Sequence, residues 1–234
     1  MRKPLLAMFN TVPECYDLVN RVLTLGFDEL WRRRTAKLCL DTKPSRVLDI
    51  CCGTGDMALH LAQLAADDVE ITGVDFSEPM LHVARYKASV HGMKRGVSFK
   101  PGDVAYLEYP DGHFDAVTIS FGFRNLTYRN PMRYKYLAEI LRIIHPGGSL
   151  FIVETCQPRL APIRMLYHFY LKRISSILGG LISGQKGAYR YLSQSAANYY
   201  NAQEVRRLLT DAGFKQANFT PLLWGIAAIY IATR

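Results

Sequence analysis

The sequence predicts an α/β domain in which a twisted, mostly parallel sheet carries helices on both faces. Two observations lead there. Apolar, β-branched runs alternate with helical periodicity along all 234 residues, with no low-complexity linker and no repeat. The segment RVLDICCGTGDMALHLA, Arg46 to Ala62, reads as a buried strand, a glycine turn and an amphipathic helix, and a second strand, Ile71 to Phe76, follows. With 49% hydrophobic and 12% aromatic residues, the chain suits one domain, 1–234, with a full core.

A helical stretch over Tyr16 to Cys39 heads the chain, as a cap within residues 1–40. Strands are predicted near Val47–Ile50, Val69–Phe76, Val97–Lys100, Phe114–Ser120, Ser149–Glu154, Gln216–Leu222 and Ile226–Thr233. Helices fill Asp56–Ala66, Glu78–His91, Pro131–Ile144 and Ala202–Ala212. Only Leu223 to Gly225 separates the last two strands, too little for a crossover, so one strand of the seven runs antiparallel. An excess segment, 157–201, lies between the fifth strand and the helix at Ala202. It is expected to cover the carboxyl ends of the strands, where open α/β sheets bind ligands.

The loop residues point to a cofactor. Gly53 and Gly55 give the tight turn, and Asp75, roughly twenty residues on with Phe76 after it, is placed to accept both hydroxyls of a ribose. A dinucleotide loop wants a third glycine and an unobstructed helix N-terminus. Here that position is Ala58, and Asp56 would set a negative charge beside a pyrophosphate. With the acid Asp49 at the strand end, the loop instead resembles motif I of class I S-adenosylmethionine methyltransferases, whose ligand is a zwitterion bearing a sulfonium. Asp103 and Val104, ending the third strand, suit an adenine amino group and a ring nitrogen, although G-D-V alone could be a simple turn. Ser120 ends the fourth strand and leads into FGFRN, expected beside the transferable methyl group.

The formal net charge of +9 calls for an anionic partner. Between Thr155 and Gln203 no acidic residue occurs, while Arg159, Arg164, Lys172, Arg173, Lys186 and Arg190 punctuate bulky apolar residues from Leu160 to Leu178. That alternation suits an anionic membrane surface better than nucleic acid, the alternative being a cationic solvated helix over an ordinary core. No run approaches the ~18 uninterrupted apolar residues of a membrane span, and Met1 to Ala7 is too short for a signal peptide. The expectation is a cytoplasmic protein peripherally associated with the inner face of the membrane, with oligomeric state, homodimer included, left open. Five cysteines without a C-x-x-C pair argue against zinc or a disulfide framework, and no metal is expected.

Longer matches then accumulate. YDLVNRVLTLGFDELWRRR (Tyr16 to Arg34), CCGTGD, FGFRN, LRIIHPGGSLFIVET (Leu141 to Thr155), YRYLSQS (Tyr189 to Ser195) and the ending AGF…GIAAIYIATR together resemble the UbiE/MenG-type methyltransferases of ubiquinone and menaquinone biosynthesis. The resemblance covers nearly the whole chain. It implies the Rossmann-like class I methyltransferase fold, S-adenosyl-L-methionine as cofactor, and Thr54, Asp75, Asp103 with Val104, and Ser120 among the positions that bind it. Two departures stand out: His145 where a lysine is common before PGG, and Thr155-Cys156 in place of the usual ending with a serine two residues after Glu154.

The reaction implied is C-methylation of a prenylated hydroquinone such as demethylmenaquinol, with a phospholipid amine or a small phenol as the alternative acceptor. The methyl group is already activated, so the protein must align donor and ring carbon and stabilise a hydroquinone anion. Arg124 is the candidate for the oxyanion, directly or through water, with Asn125 orienting it. Arginine is itself a poor base. Tyr16 and Asp17 could close over the site, Asp17 as proton acceptor, or be only a packing aromatic and a helix cap. Phe121, Phe123, Tyr189 and Tyr191 are candidates for an apolar ring pocket, and His168 for a contact to quinol or lipid phosphate. His113 and His145 read as structural.

Overall fold

The computed structural model describes residues 13–92, 97–175 and 186–234. Two helices, α1 (Pro13–Leu23) and α2 (Phe27–Leu40), precede the sheet. The single helical stretch expected there breaks at Leu25 and Gly26, both at positive φ. Then come β1 (Arg46–Ile50), α3 (Asp56–Leu64), β2 (Glu70–Asp75), α4 (Glu78–Val90), β3 (Val97–Pro101) and β4 (Phe114–Ser120). A short α5 (Phe123–Thr127) and α6 (Arg133–Ile143) lead to β5 (Ile144–Thr155), which starts earlier than the sequence suggests because Ile144 pairs with Phe114 ahead of a register shift. The excess segment forms α7 (Ala161–Phe169), a wider π-helical turn (Tyr170–Ser175) and α8 (Lys186–Ala197); α9 (Ala202–Asp211), β6 (Gln216–Leu222) and β7 (Ala227–Thr233) close the chain. Ile177 and Leu178 lie outside the described residues, as do the side chains of Lys186 and Tyr189.

The seven strands order as β3-β2-β1-β4-β5-β7-β6. Strands β1 to β5 pair in parallel, and β7 is antiparallel to both neighbours. This is the Rossmann-like class I methyltransferase architecture. Chain order reverses between β1 and β4, the point where such sheets open a crevice at the strands' carboxyl ends. Register brings the ends level: Asp49 lies opposite Gly73 and Thr118, and Ser120 opposite Val153.

Both faces are covered, so the strands read as continuous apolar runs. Along β1, Leu48 and Ile50 pack on one side with Val117, Ile119, Leu137 and Ile140. Val47 faces the other side with Met57, Leu61, Leu81 and Phe151. The turn between β1 and α3 is wedged between these layers. A Cβ on Gly55, whose φ is +85°, would sit 2.9 Å from both the Ala84 Cβ and the Phe99 ring. Gly55→Ala should therefore destabilise the fold by about 1–3 kcal/mol through strain and overlap together. Denaturant unfolding reads this directly, and an unchanged midpoint would show that the turn can relax.

Candidate active site

The residues after β1 make a turn around the end of β2. The Gly53 amide donates to Asp75 Oδ2 at 2.9 Å and the Ser77 amide to Oδ1 at 2.9 Å. Burial pushes the Asp75 carboxyl up from its ordinary range while these amides work the other way. A carboxylate fixed by two backbone donors keeps further lone pairs for a diol. Cys51, before the turn, and Phe121, after β4, hold positive φ of 52° and 55°, strain of the kind that persists at functional sites.

Between these turns lies a cavity of ≈ 440 Å³ walled by Gly53, Asp75, Phe76, Asp103, Val104 and Ser120, and extending to Asn125 and Tyr191. Six expected cofactor residues thus share one wall. The other three point elsewhere. Asp49 is buried beneath the turn, accepting from Thr118 Oγ1 at 2.9 Å, and burial pushes its carboxyl up to about 7. Thr54 donates to Asp17 Oδ1 at 2.5 Å, and Gly55 packs on Ala84 and Phe99. Cys51 and Cys52 are packing residues of this turn, their thiols pushed well up by burial and by Asp75 and Asp49.

A relay of charge, buried at Arg32 and Asp28 and half-buried at Asp17, Lys87 and Asp56, ties α1 to the turn. Asp17 Oδ2 accepts from Lys87 Nζ at 2.8 Å, Lys87 also meets Asp56, and Asp56 lies 3.6 Å from Arg32. Arg32 meets Asp28 at 2.5 Å and donates through Nε to Ser120 Oγ at 3.0 Å, with its guanidinium 5.2 Å over the Phe121 ring. Burial works against the charge on Asp56, but Arg32 and Lys87 together hold it below the usual carboxylate range. Asp17, expected as a proton acceptor or a helix cap, is engaged by Thr54 and Lys87, and Asp56 is paired with Lys87 and lies outside the cavity's lining. Arg32 and Lys87 are the residues that sequence reasoning missed, and an acid beside a glycine turn was the signal that a cation must meet it.

A second cavity of ≈ 710 Å³, walled almost wholly by apolar side chains of α1, α2, α7 and the π turn, meets the first at Tyr16, Phe121 and Asn125. Burial keeps the Tyr16 hydroxyl protonated, raising its pKa. At the wall sits Arg124, 6% exposed, whose Nη1 donates to Glu154 Oε1 at 3.1 Å and Thr155 Oγ1 at 2.7 Å. Glu154 and Thr155, not Asn125, orient it. Asn125 Oδ1 is buried without a partner among the described residues. Phe123 is fully buried in the core and does not line the pocket, whereas Phe121 and Tyr191 do; His168 pairs with Gln157 at 2.6 Å. His113 packs on Tyr109 and Phe114.

The family model described as the ubiE/COQ5 methyltransferase family matches residues 2–234. The chain belongs to that family. It is 41% identical over 227 residues to a demethylmenaquinone methyltransferase of Thermus thermophilus, covering 97% of this chain and 100% of that one. It is 37% identical to a ubiquinone/menaquinone biosynthesis C-methyltransferase of Geobacter sulfurreducens, covering 95% and 85%. The crystal structure of an S-adenosylmethionine-dependent methyltransferase from Aquifex aeolicus shares the fold, with a TM-score of 0.57 and 20% identity over 81% of each chain.

This methyltransferase uses S-adenosylmethionine, and the smaller cavity fits it: two carboxylates, Asp75 and Asp103, face a cationic, ribose-bearing ligand. Asp75 would hold the ribose, and Asp103 with the Val104 amide the adenine. Asp75→Ala should weaken S-adenosylmethionine binding, read by calorimetry, by one to several orders of magnitude, since each charge-assisted hydrogen bond is worth about 1.5–3 kcal/mol. Wild-type affinity in that variant would remove the ribose assignment.

Proposed function

We propose that the methyltransferase moves the methyl group onto a ring carbon of a prenylated hydroquinone, demethylmenaquinol or the related benzoquinol of ubiquinone biosynthesis. The observation that carries this reading is the junction of the two cavities. The smaller cavity carries two carboxylates, Asp75 and Asp103, and suits the cofactor; the other is larger and almost wholly apolar and suits an isoprenoid tail; among the described residues they share Tyr16, Phe121 and Asn125. Bound S-adenosylmethionine supplies an activated methyl group. The chain supplies alignment at the junction, exclusion of water by the apolar walls, and directed N–H donors. Because Arg124 is paired with buried Glu154, it acts on a ring oxygen through an oriented donor more than through net charge. A polar or small acceptor would leave most of the larger cavity unfilled. Supplied with labelled S-adenosylmethionine, the purified enzyme should convert demethylmenaquinol to a product carrying its label on ring carbon by mass analysis. Label on a phospholipid amine or a phenol oxygen instead would replace this reading with the alternative one.

The same cavity supports docking on an anionic membrane surface. Leu25, Leu166, Phe169 and Trp224 line it yet are exposed, Leu25 by 81% and Trp224 by 75%. Exposed Arg164, Lys172 and Arg173 stand on α7 and the π turn beside them. No helix among the described residues is long and apolar enough to cross a membrane, so a lipid-borne substrate would have to be met at the surface. Basic residues near an anionic leaflet contribute about 1 kcal/mol each. Neutralising Arg164, Lys172 and Arg173 together should reduce binding to anionic vesicles and turnover of a long-tailed quinol while sparing a short-tailed soluble analogue. Equal losses on both substrates would mean that the segment is a lid without a docking role.

A further inference from the structure

Where β5 ends, the wall of the apolar cavity carries a hydrogen-bonded polar cluster. Thr155, the last residue of β5, lines the cavity beside Arg124. Its hydroxyl donates to Glu154 Oε1 at 3.0 Å and accepts from Arg124 Nη1 at 2.7 Å. The same Glu154 oxygen takes the Thr155 amide at 2.9 Å and Arg124 Nη1 at the longer distance of 3.1 Å, while Oε2 takes the Arg124 amide at 3.0 Å. Glu154 is fully buried, so the carboxylate and the backbone around it cannot shift without losing several bonds at once. The guanidinium is less constrained. Through the long contact to Glu154 alone it could turn about a single N–H; the shorter bond to Thr155 adds the second point that sets its plane. Arg124 Nε is buried without a partner among the described residues. Unpaired buried polar groups persist where a ligand or a water completes them.

We propose that Thr155 is a positioning residue: its hydroxyl relays Glu154 to Arg124 and fixes the guanidinium so that its remaining donors meet an oxygen of the aromatic acceptor. This rests on the reading of the substrate as a hydroquinone. In that role the hydroxyl governs how well the site favours the ionised ring oxygen, and therefore the pH at which turnover develops. It leaves the Arg124–Glu154 ion pair intact, so its loss should not unmake the fold.

Thr155→Val removes the hydroxyl at nearly constant shape, and Thr155→Ser restores it. With a prenylated hydroquinone as acceptor, the valine variant should lose about tenfold in kcat, the scale of one oriented hydrogen bond. Its KM for S-adenosylmethionine should stay at the wild-type value. A less stabilised phenolate ionises later, so the rising limb of its kcat–pH profile should move to higher pH by about one unit, a tenfold change being one unit. The serine variant should recover most of both losses. A valine variant with wild-type kcat and pH profile, or valine and serine variants equally impaired, would overturn the proposal while leaving the function itself standing. Failure of the wild-type enzyme to methylate any prenylated hydroquinone would overturn both.

Discussion

Helix α1 has to be held above a turn that carries the cofactor wall, and an alternating relay of half-buried and buried charge does the holding. Asp17, Lys87, Asp56, Arg32 and Asp28 come from four helices and alternate in sign, and the hydrogen bond from Arg32 to Ser120 ties the relay to the end of β4. The Arg32–Asp28 pair is buried, so removing either partner there leaves an uncompensated buried charge, a loss that typically costs about 3–5 kcal/mol; the outer members are half-buried and cost less. Tyr16, next to Asp17, walls both cavities. Any displacement of α1 therefore alters both at once. One helix thus borders both cavities, and an ion pair from that helix, Asp17 to Lys87, ties it to α4.

The second buried ion pair solves a different problem. An arginine facing an apolar cavity needs partners for its N–H groups, and β5 supplies them where it leaves the sheet. Glu154 is fully buried and is met by two backbone amides as well as by the Arg124 side chain, so the pair is held by more than Coulomb attraction. Its cation is compensated and its geometry is fixed. In the proposed role such a group would offer a substrate direction, which a solvated arginine could not.

Much of this was legible in the sequence because the sheet's signals are local. The run at Val47 to Ile50, the glycine turn and Asp75 are near neighbours in sequence whose roles follow from strand, turn and strand end. The expected elements accordingly lie close to the observed ones, and six cofactor candidates share a wall. What was illegible depends on long-range packing. Nothing near Arg32 announces that it reaches Ser120, 88 residues away, and nothing near Lys87 that it would meet Asp17, 70 residues away. Asp49 and Thr54 do not line the cavity because each is taken by a partner distant in sequence, Asp49 by Thr118 and Thr54 by Asp17. The partner of Arg124 was misassigned to its sequence neighbour Asn125 because Glu154 reaches it only through the pairing of β4 with β5.

The junction between the cavities is built from backbone. Phe121 holds positive φ, and a Cβ on Gly122 would come within 2.7 Å of the Cys51 Cβ, so the turn after β4 is pressed against the turn after β1. Neither turn can move without the other. Methyl transfer demands an alignment that a displacement of about 1 Å can spoil, and two interlocked turns at the end of a parallel sheet provide that stiffness. The rim of the apolar cavity is the opposite: Leu166, Phe169 and Trp224 are exposed, and they belong to short helices and a hairpin turn at the molecule's edge. Tolerance for tails of different length can reside there without cost to the geometry of the reacting atoms. Stiffness sits where the bond is made, and latitude where the acceptor enters.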